Sequence, residues 1–329
     1  MTDILLHAYT PLVVWIGLGV VLLRFLPVSL PRLIGRGLYW VGLPIQIFAL
    51  AHQTNFSHLT VLAPVYTLII LAVGLVAGWL GQRCLGQAWL PWSKVQSGLG
   101  NLLEKSAPFQ PSPLTNLDRQ GSFILSAMLG NTGLVGIAIV STLVSPENLV
   151  WAIVYTVTQN IFGSFGLGVF VASTFGRPLA SRWHHLWDLL TVPTLWGFGL
   201  GWLSQRFSFA APVDAVLAQS VWVVIAISFI LTGMRLSQLA GWQSLQIGLL
   251  PGLIKVLLLP IVMGLITTAT GLTGEPRLAL VLMAGMPTAF AALILAEEYD
   301  LDRQLPTSAI ALSTIGILLL LPLWLWVFG

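Results

Sequence analysis

Lys255 interrupts the apolar run 246–269 near its middle. Inside a bilayer an ammonium there costs at least about 2.5–3.5 kcal/mol unless it is solvated or paired. No Asp or Glu falls mid-run anywhere in the chain, so no carboxylate at that depth can pair it. Three roles fit such a lysine. It can donate to backbone carbonyls freed by a broken helix, as a fixed cation in place of bound sodium. It can titrate and carry a proton. It can also snorkel toward the nearer face, which is the bland reading. Asn131 is the second candidate, within Gly130-Asn131-Thr132-Gly133-Leu134-Val135-Gly136. An amide between glycines can orient a carboxylate, together with Thr132 and Gly133, or hydrogen-bond across helices. Gly285-Met286-Pro287-Thr288 is a second helix-weakening segment, and Pro287 and Thr288 join the candidate set. Gln159 and Asn160 sit at similar depth and suit either the site or interhelical hydrogen bonding.

Other constellations carry less. Glu297, Glu298, Asp300 and Asp302 follow an apolar run with no histidine nearby and read as a solvated loop rather than a metal site. His184 and His185 are adjacent, so they diverge on a helix and make a poor metal pair. Gly163-Ser164-Phe165-Gly166 lacks the glycine two residues before serine that a nucleophile elbow needs. Cys84 is the one cysteine, which excludes a disulfide framework and cysteine-based metal centres. No Walker loop or HExxH motif is present. The chain is read as a non-enzyme without a cofactor.

These groups are positioned by membrane helices. Of 329 residues 57% are hydrophobic and 8% charged, against roughly 25% charged in soluble domains. So few charges cannot cover a water-soluble surface, and soluble, disordered and collagen-like classes fall away. The net charge of +3 comes from scattered basic residues, which argues for membrane topology and against nucleic acid. A helix crosses the hydrocarbon with about 20 apolar residues. Ten stretches qualify: 8–26, 37–52, 60–81, 121–144, 149–174, 189–206, 213–233, 246–269, 277–296 and 307–328, the second short enough to be broken or tilted. The N-terminus lacks the basic region of a cleavable signal, so the first span is expected to be retained. With both termini outside, eleven of the fourteen Lys and Arg face the cytoplasm, Arg206 and Arg277 face outward, and Lys255 is within a span. The 82–120 insert contains a short amphipathic pattern at Val95, Leu99, Leu102 and Leu103, suited to the cytoplasmic surface.

Ten spans divide into two fives, which must be inverted relative to each other. Pro11, Gly17 and Gly19 have the spacing of Pro193, Gly199 and Gly201, and Pro64 matches Pro251. Met128 and Gly130 then match Met283 and Gly285 at an offset shortened by the 82–120 insert. The repeats are 1–174 and 189–329, joined by a cytoplasmic linker at 175–188. Inverted repeats with interrupted helices mark secondary transporters that bind substrate near the midplane, because irregular backbone must line a cavity or be buried in protein. Gly74 with Gly78, and Gly197 with Gly201, have the spacing of close helix packing.

At these residues the chain resembles the auxin efflux carrier family, including its bacterial malate-permease-like members. The matching stretches are Asn131-Thr132-Gly133-Leu134-Val135-Gly136-Ile137, Met286-Pro287, and Leu295-Ala296-Glu297-Glu298-Tyr299-Asp300-Leu301-Asp302. Thr232-Gly233-Met234-Arg235-Leu236 and Lys255-Val256-Leu257-Leu258-Leu259-Pro260 also fit. The chain departs from the family pattern at Ala138, where proline is usual, and at Ala291, where asparagine is common. The resemblance implies an all-α, ten-helix fold related to bile-acid symporters and sodium–proton antiporters. Spans 1, 2, 6 and 7 would be a scaffold, spans 3–5 and 8–10 a moving transport domain, and broken helices 4 and 9 would cross at the substrate site. The expected function is elevator-type, sodium-independent transport of a small organic anion, auxin-like or another carboxylic acid, across a cell or inner membrane. The bilayer is the obligatory partner, and the scaffold spans offer a homodimer surface. The two departures motivate an alternative, a non-transporting receptor or regulatory protein on the same fold.

Overall fold

The computed structural model describes residues 13–27, 29–53, 62–88, 116–176, 193–237 and 242–329. The amphipathic pattern at 95–103 and the pair His184–His185 lie outside the described residues. Among the described residues the secondary structure is helical, apart from one isolated bridge pair. In chain order the helices are α1 (Val13–Leu22), α2 (Leu30–Gln53), α3 (Leu62–Ala88), α4 (Leu117–Met128), α5 (Thr132–Leu143) and α6 (Leu149–Phe175). The second half supplies α7 (Pro193–Ser204), α8 (Ala211–Ser237), α9 (242–269), α10 (Gly274–Ala284), α11 (Phe290–Glu298) and α12 (Gln304–Phe328).

Six of these, α2, α3, α6, α8, α9 and α12, are long and apolar enough to cross a membrane. One sequence expectation needs correction here. The second span is not short or broken. It begins at Leu30 with Pro31 in its first turn, where the missing N–H costs nothing, and runs to Gln53 through a π-helical stretch at Leu38–Gly42.

Two apolar passages are interrupted. Between α4 and α5 the chain leaves the helix at Leu129, in extended geometry, and Asn131 takes φ −78° and ψ 63°. That is an inverse γ-turn, closed by the Thr132 N–H donating to Gly130 O at 2.9 Å. Between α10 and α11 the helix stops at Ala284, and Ala289 is extended. Pro287 disfavours helical backbone at Met286 and has no N–H of its own. Ala138 lies inside α5, well past the first break, so the absent proline leaves that break intact.

Close backbone approach sorts the helices. A Cβ on Gly233 of α8 would stand 2.0 Å from Ile16 O of α1, and one on Gly201 of α7 would stand 2.5 Å from Phe48 O of α2. α3 also packs close to α4, where a Cβ on Gly74 or Gly78 would stand 3.1 Å from the Cα of Met128 or Ile124. Gly248 of α9 meets Ser308 and Ala309 of α12, and Gly168 of α6 meets Leu295 of α11. The paired glycines Gly74/Gly78 and Gly197/Gly201 thus pack helices, as their spacing suggests.

Candidate functional site: two helix breaks that bridge

The two breaks meet. Gly130 and Thr288 form an antiparallel bridge, in which Asn131 N–H donates to Pro287 O at 2.6 Å and Ala289 N–H donates to Leu129 O at 2.9 Å. Each interrupted chain thereby satisfies backbone groups of the other, which an apolar surrounding could not. Side chains take up the rest. Gln159 of α6 donates through Nε2 to Gly130 O at 2.5 Å and to Thr132 Oγ1 at 3.1 Å. Thr288 N–H donates to Ser313 Oγ of α12 at 2.9 Å, and Thr288 Oγ1 donates to Ser126 O at 2.9 Å.

Lys255 lies behind this bridge. Its residue is 0% exposed, and Nζ donates to Met128 O, the last residue of α4, at 3.4 Å. Gly130 makes room for it, since a Cβ there would stand 2.7 Å from Lys255 Cε and 2.9 Å from Nζ. The ammonium therefore sits at the negative end of the α4 dipole, where cations are stabilised. It does not snorkel outward. π-helical turns accompany three of the four site-bearing stretches, Thr132–Gly136, Gln159–Gly168 and Ile254–Leu258, and not the one holding Pro287 and Thr288. Such turns commonly mark functional positions, because the widened turn re-aims a side chain.

The structure separates the candidates into two kinds. Thr132, Pro287, Thr288, Gln159 and Gly133 are committed to holding the breaks or to packing; a Cβ on Gly133 would stand 2.5 Å from the Leu43 side chain of α2. Asn131 is different. It is 8% exposed, and its side-chain amide makes no hydrogen bond among the described residues. Asn160, one residue past Gln159, is half-buried and likewise makes none. Around them Leu38, Leu43, Leu134, Val157 and Leu231 form an apolar cluster with Tyr39 and Phe290 packed against it. Half-helices α5 and α11 both begin at the bridge, so the positive ends of two helix dipoles point toward it.

Sequence reasoning missed Ser313, because a serine inside a helix normally bonds its own backbone, and missed Ser126, because it serves through its main-chain carbonyl, which residue type does not reveal. It also misjudged the acidic group after α11. Asp302 is no solvated loop residue: Oδ2 lies 3.0 Å from Nε of buried Arg119, and Oδ1 accepts the N–H groups of Gln304 and Leu305 at the start of α12. Ser122 adds a hydrogen bond to Asp302 O at 2.6 Å. At the opposite end Glu275 Oε2 accepts from Ser145 N, Ser145 Oγ and Asn148 Nδ2 at 2.8, 2.6 and 2.8 Å. Those bonds hold its carboxyl below the usual carboxylate range, with burial opposing them weakly. Among the described residues no group of acidic, histidine or cysteine side chains could hold a metal.

Apolar helices of spanning length, with two interrupted passages joined at their breaks, define a multi-pass helical membrane protein. Comparison with known proteins shows which family it is similar to. Residues 207–325 match the model of the membrane transport protein family, which upholds the resemblance to the auxin efflux carriers. An uncharacterized transporter of Methanocaldococcus jannaschii is 26% identical over 221 residues, covering 64% of this chain and 69% of that protein. One from Methanothermobacter thermautotrophicus is 29% identical over 207 residues, covering 62% and 66%. The uncharacterized transporter YfdV of Escherichia coli is 30% identical over 74 residues, 22% of this chain and 24% of its own. These likenesses support a transporter and point away from an enzyme.

Proposed function

We propose that the protein is a secondary transporter of a small organic anion, an auxin-like or other carboxylic acid, working by elevator-type alternating access. The observation that carries this reading is the bridge between Gly130 and Thr288. It brings two half-helix N-termini and the uncommitted Asn131 amide to one place, and partial positive charge there suits a carboxylate. The apolar cluster with Tyr39 and Phe290 suits the body of such an acid. Lys255 serves as a fixed cation beneath α4 in place of a coupling sodium ion, and transport is sodium-independent.

The packing supports two bodies in an inverted-repeat, ten-span arrangement. α1 with α8 and α2 with α7 approach at glycines, as a scaffold would. α3 with α4, α6 with α11, and α9 with α12 do so in the other group. Both termini are placed outside, with the arginine-rich ends of α2 and α8 in the cytoplasm of a cell or inner membrane. The test is reconstitution into vesicles, with uptake of labelled carboxylates under imposed pH and sodium gradients. Saturable flux that Asn131→Ala weakens would uphold the reading. Saturable binding without flux would instead make the protein a receptor on a transporter fold.

A further inference from the structure

One set of charges crosses the boundary between the two groups of helices. Arg32 stands in the first turn of α2, and Arg235 in the last turn of α8. Both belong to the group read as scaffold. Glu297 ends the half-helix α11, in the other group. Arg32 Nη2 lies 3.6 Å from Glu297 Oε1. Arg235 is within electrostatic reach of both Glu297 and Arg32, and its guanidinium carbon lies 5.9 Å from the ring centre of Phe290, the first residue of α11. Phe290, Ile294 and Glu297 are spaced four and then three apart, so one face of α11 meets the scaffold. Much of the remaining boundary is apolar, with Leu231, Tyr39, Ile34 and Phe290 in one cluster, and one long hydrogen bond, Ser228 Oγ donating to Leu134 O at 3.4 Å, also crosses it.

An apolar boundary lets one body slide over the other without breaking specific bonds. A carboxylate 3.6 Å from one guanidinium and within electrostatic reach of a second does the reverse, because the opposed charges favour one register. α11 is tied firmly to its own body, with Leu295 against Gly168 and Tyr299 O against Gly176. Any displacement of that body must therefore carry Glu297 away from both arginines. We propose that Arg32, Arg235 and Glu297 form an ionic latch between scaffold and transport domain, closed in the state seen here and opened by the elevator movement. This rests on the two-body transporter reading. The same α11 whose first turn faces the candidate anion site carries the latch at its last turn, so a carboxylate bound at the break and the latch bias one rigid element.

The test uses the full chain in lipid vesicles, with Cys84→Ser and spin labels on cysteines at positions 33 and 303. Leu33 and Arg303 are both exposed, one on each body. The latched protein should show one main distance. Glu297→Gln and Arg235→Gln should each raise a second distance population severalfold. Arg36→Gln, an exposed arginine one turn further along α2, should leave the distribution as it was. An unchanged distribution in Glu297→Gln overturns the latch, and so does an equal shift in Arg36→Gln, which would report bulk charge only. If Arg235→Gln fails to fold, the near-isosteric Glu297→Gln decides alone. Carboxylate flux on the same vesicles separates the two claims. No flux with an intact distance shift sinks the transport reading and leaves the latch standing, whereas normal flux with no shift sinks the latch alone.

Discussion

Asn131 and Thr288 lie on the two chains of the bridge, yet they hold different positions in the hydrogen-bond ledger. The Asn131 side chain has no hydrogen-bond partner among the described residues, so Asn131→Ala should change stability by no more than about 0.5 kcal/mol. A hydrogen bond to a charged group is worth about 1.5–3 kcal/mol, so the loss of substrate affinity should be about tenfold or more. Thr288→Ala removes the bond to Ser126 O and should cost about 1 kcal/mol of stability, with a milder effect on affinity. Equilibrium binding of a carboxylate panel, run beside thermal unfolding, checks the pair; equal affinity in both variants and wild type would move the site away from the breaks. Lys255 calls for a different comparison. Lys255→Met fills the same space without a charge and should fold, but the emptied end of α4 should impair flux. If the lysine is a fixed charge, Lys255→Arg keeps part of the flux. If it carries a proton, Lys255→Arg fails as badly as Lys255→Met, because guanidinium does not deprotonate in proteins. Flux of the three forms from mildly acidic to mildly alkaline pH distinguishes the roles.

The elements show what the chain alone makes legible. Both breaks can be read from glycine clusters and from Met286-Pro287, since those residues weaken helices by local means. What closes the breaks is not legible, because Gln159, Ser313 and Ser126 act through contacts far apart in the chain. The ends of α4 and α10 make the same point. Each first turn is tied to the loop entering the long helix that follows the other break: Arg119 to Asp302 before α12, and Glu275 to Ser145 and Asn148 before α6. An acid at a loop reads as solvated until its partner is known. The Glu275 tie is testable by its pH dependence. A carboxyl whose folded pKa is depressed contributes stability above the unfolded carboxylate range, near about 4.3, and loses it as pH falls through the depressed value. Glu275→Gln should therefore lower the unfolding temperature at neutral pH, and the gap from wild type should close as the solution is acidified. A gap that is constant with pH would show that the carboxylate charge contributes nothing there.

At the scale of the molecule the hydropathy pattern marks the long helices, while the proposed grouping of helices into bodies rests on which helix each glycine meets, and spacing alone does not reveal that partner. Six helices are of spanning length, and the ten-passage reading adds the shorter α1 and α7 and the two interrupted pairs. That count predicts opposite faces for Trp183 and Gly329. Cysteines introduced at the two positions should react with an impermeant reagent from opposite sides, and reaction from one side would break the inverted repeat. The same arrangement bears on coupling. A sodium site needs several oxygen ligands, often including a carboxylate. Around the bridge, Met128 O already accepts from Lys255, Leu129 O from Ala289, Gly130 O from Gln159 and Pro287 O from Asn131. No acidic side chain is near Lys255 in the interrupted helices α4, α5, α10 and α11, since Asp118, Glu275, Glu297 and Glu298 stand at their outer ends. An ammonium packed against Gly130 would also repel a cation placed there. Replacing sodium by potassium or choline on both sides of the vesicle should then leave the initial rate of carboxylate flux unchanged, with a collapsed pH gradient as the comparison. A strict sodium requirement would mean that the carbonyls at the breaks open to admit a cation, and that Lys255 serves some purpose other than standing in for it.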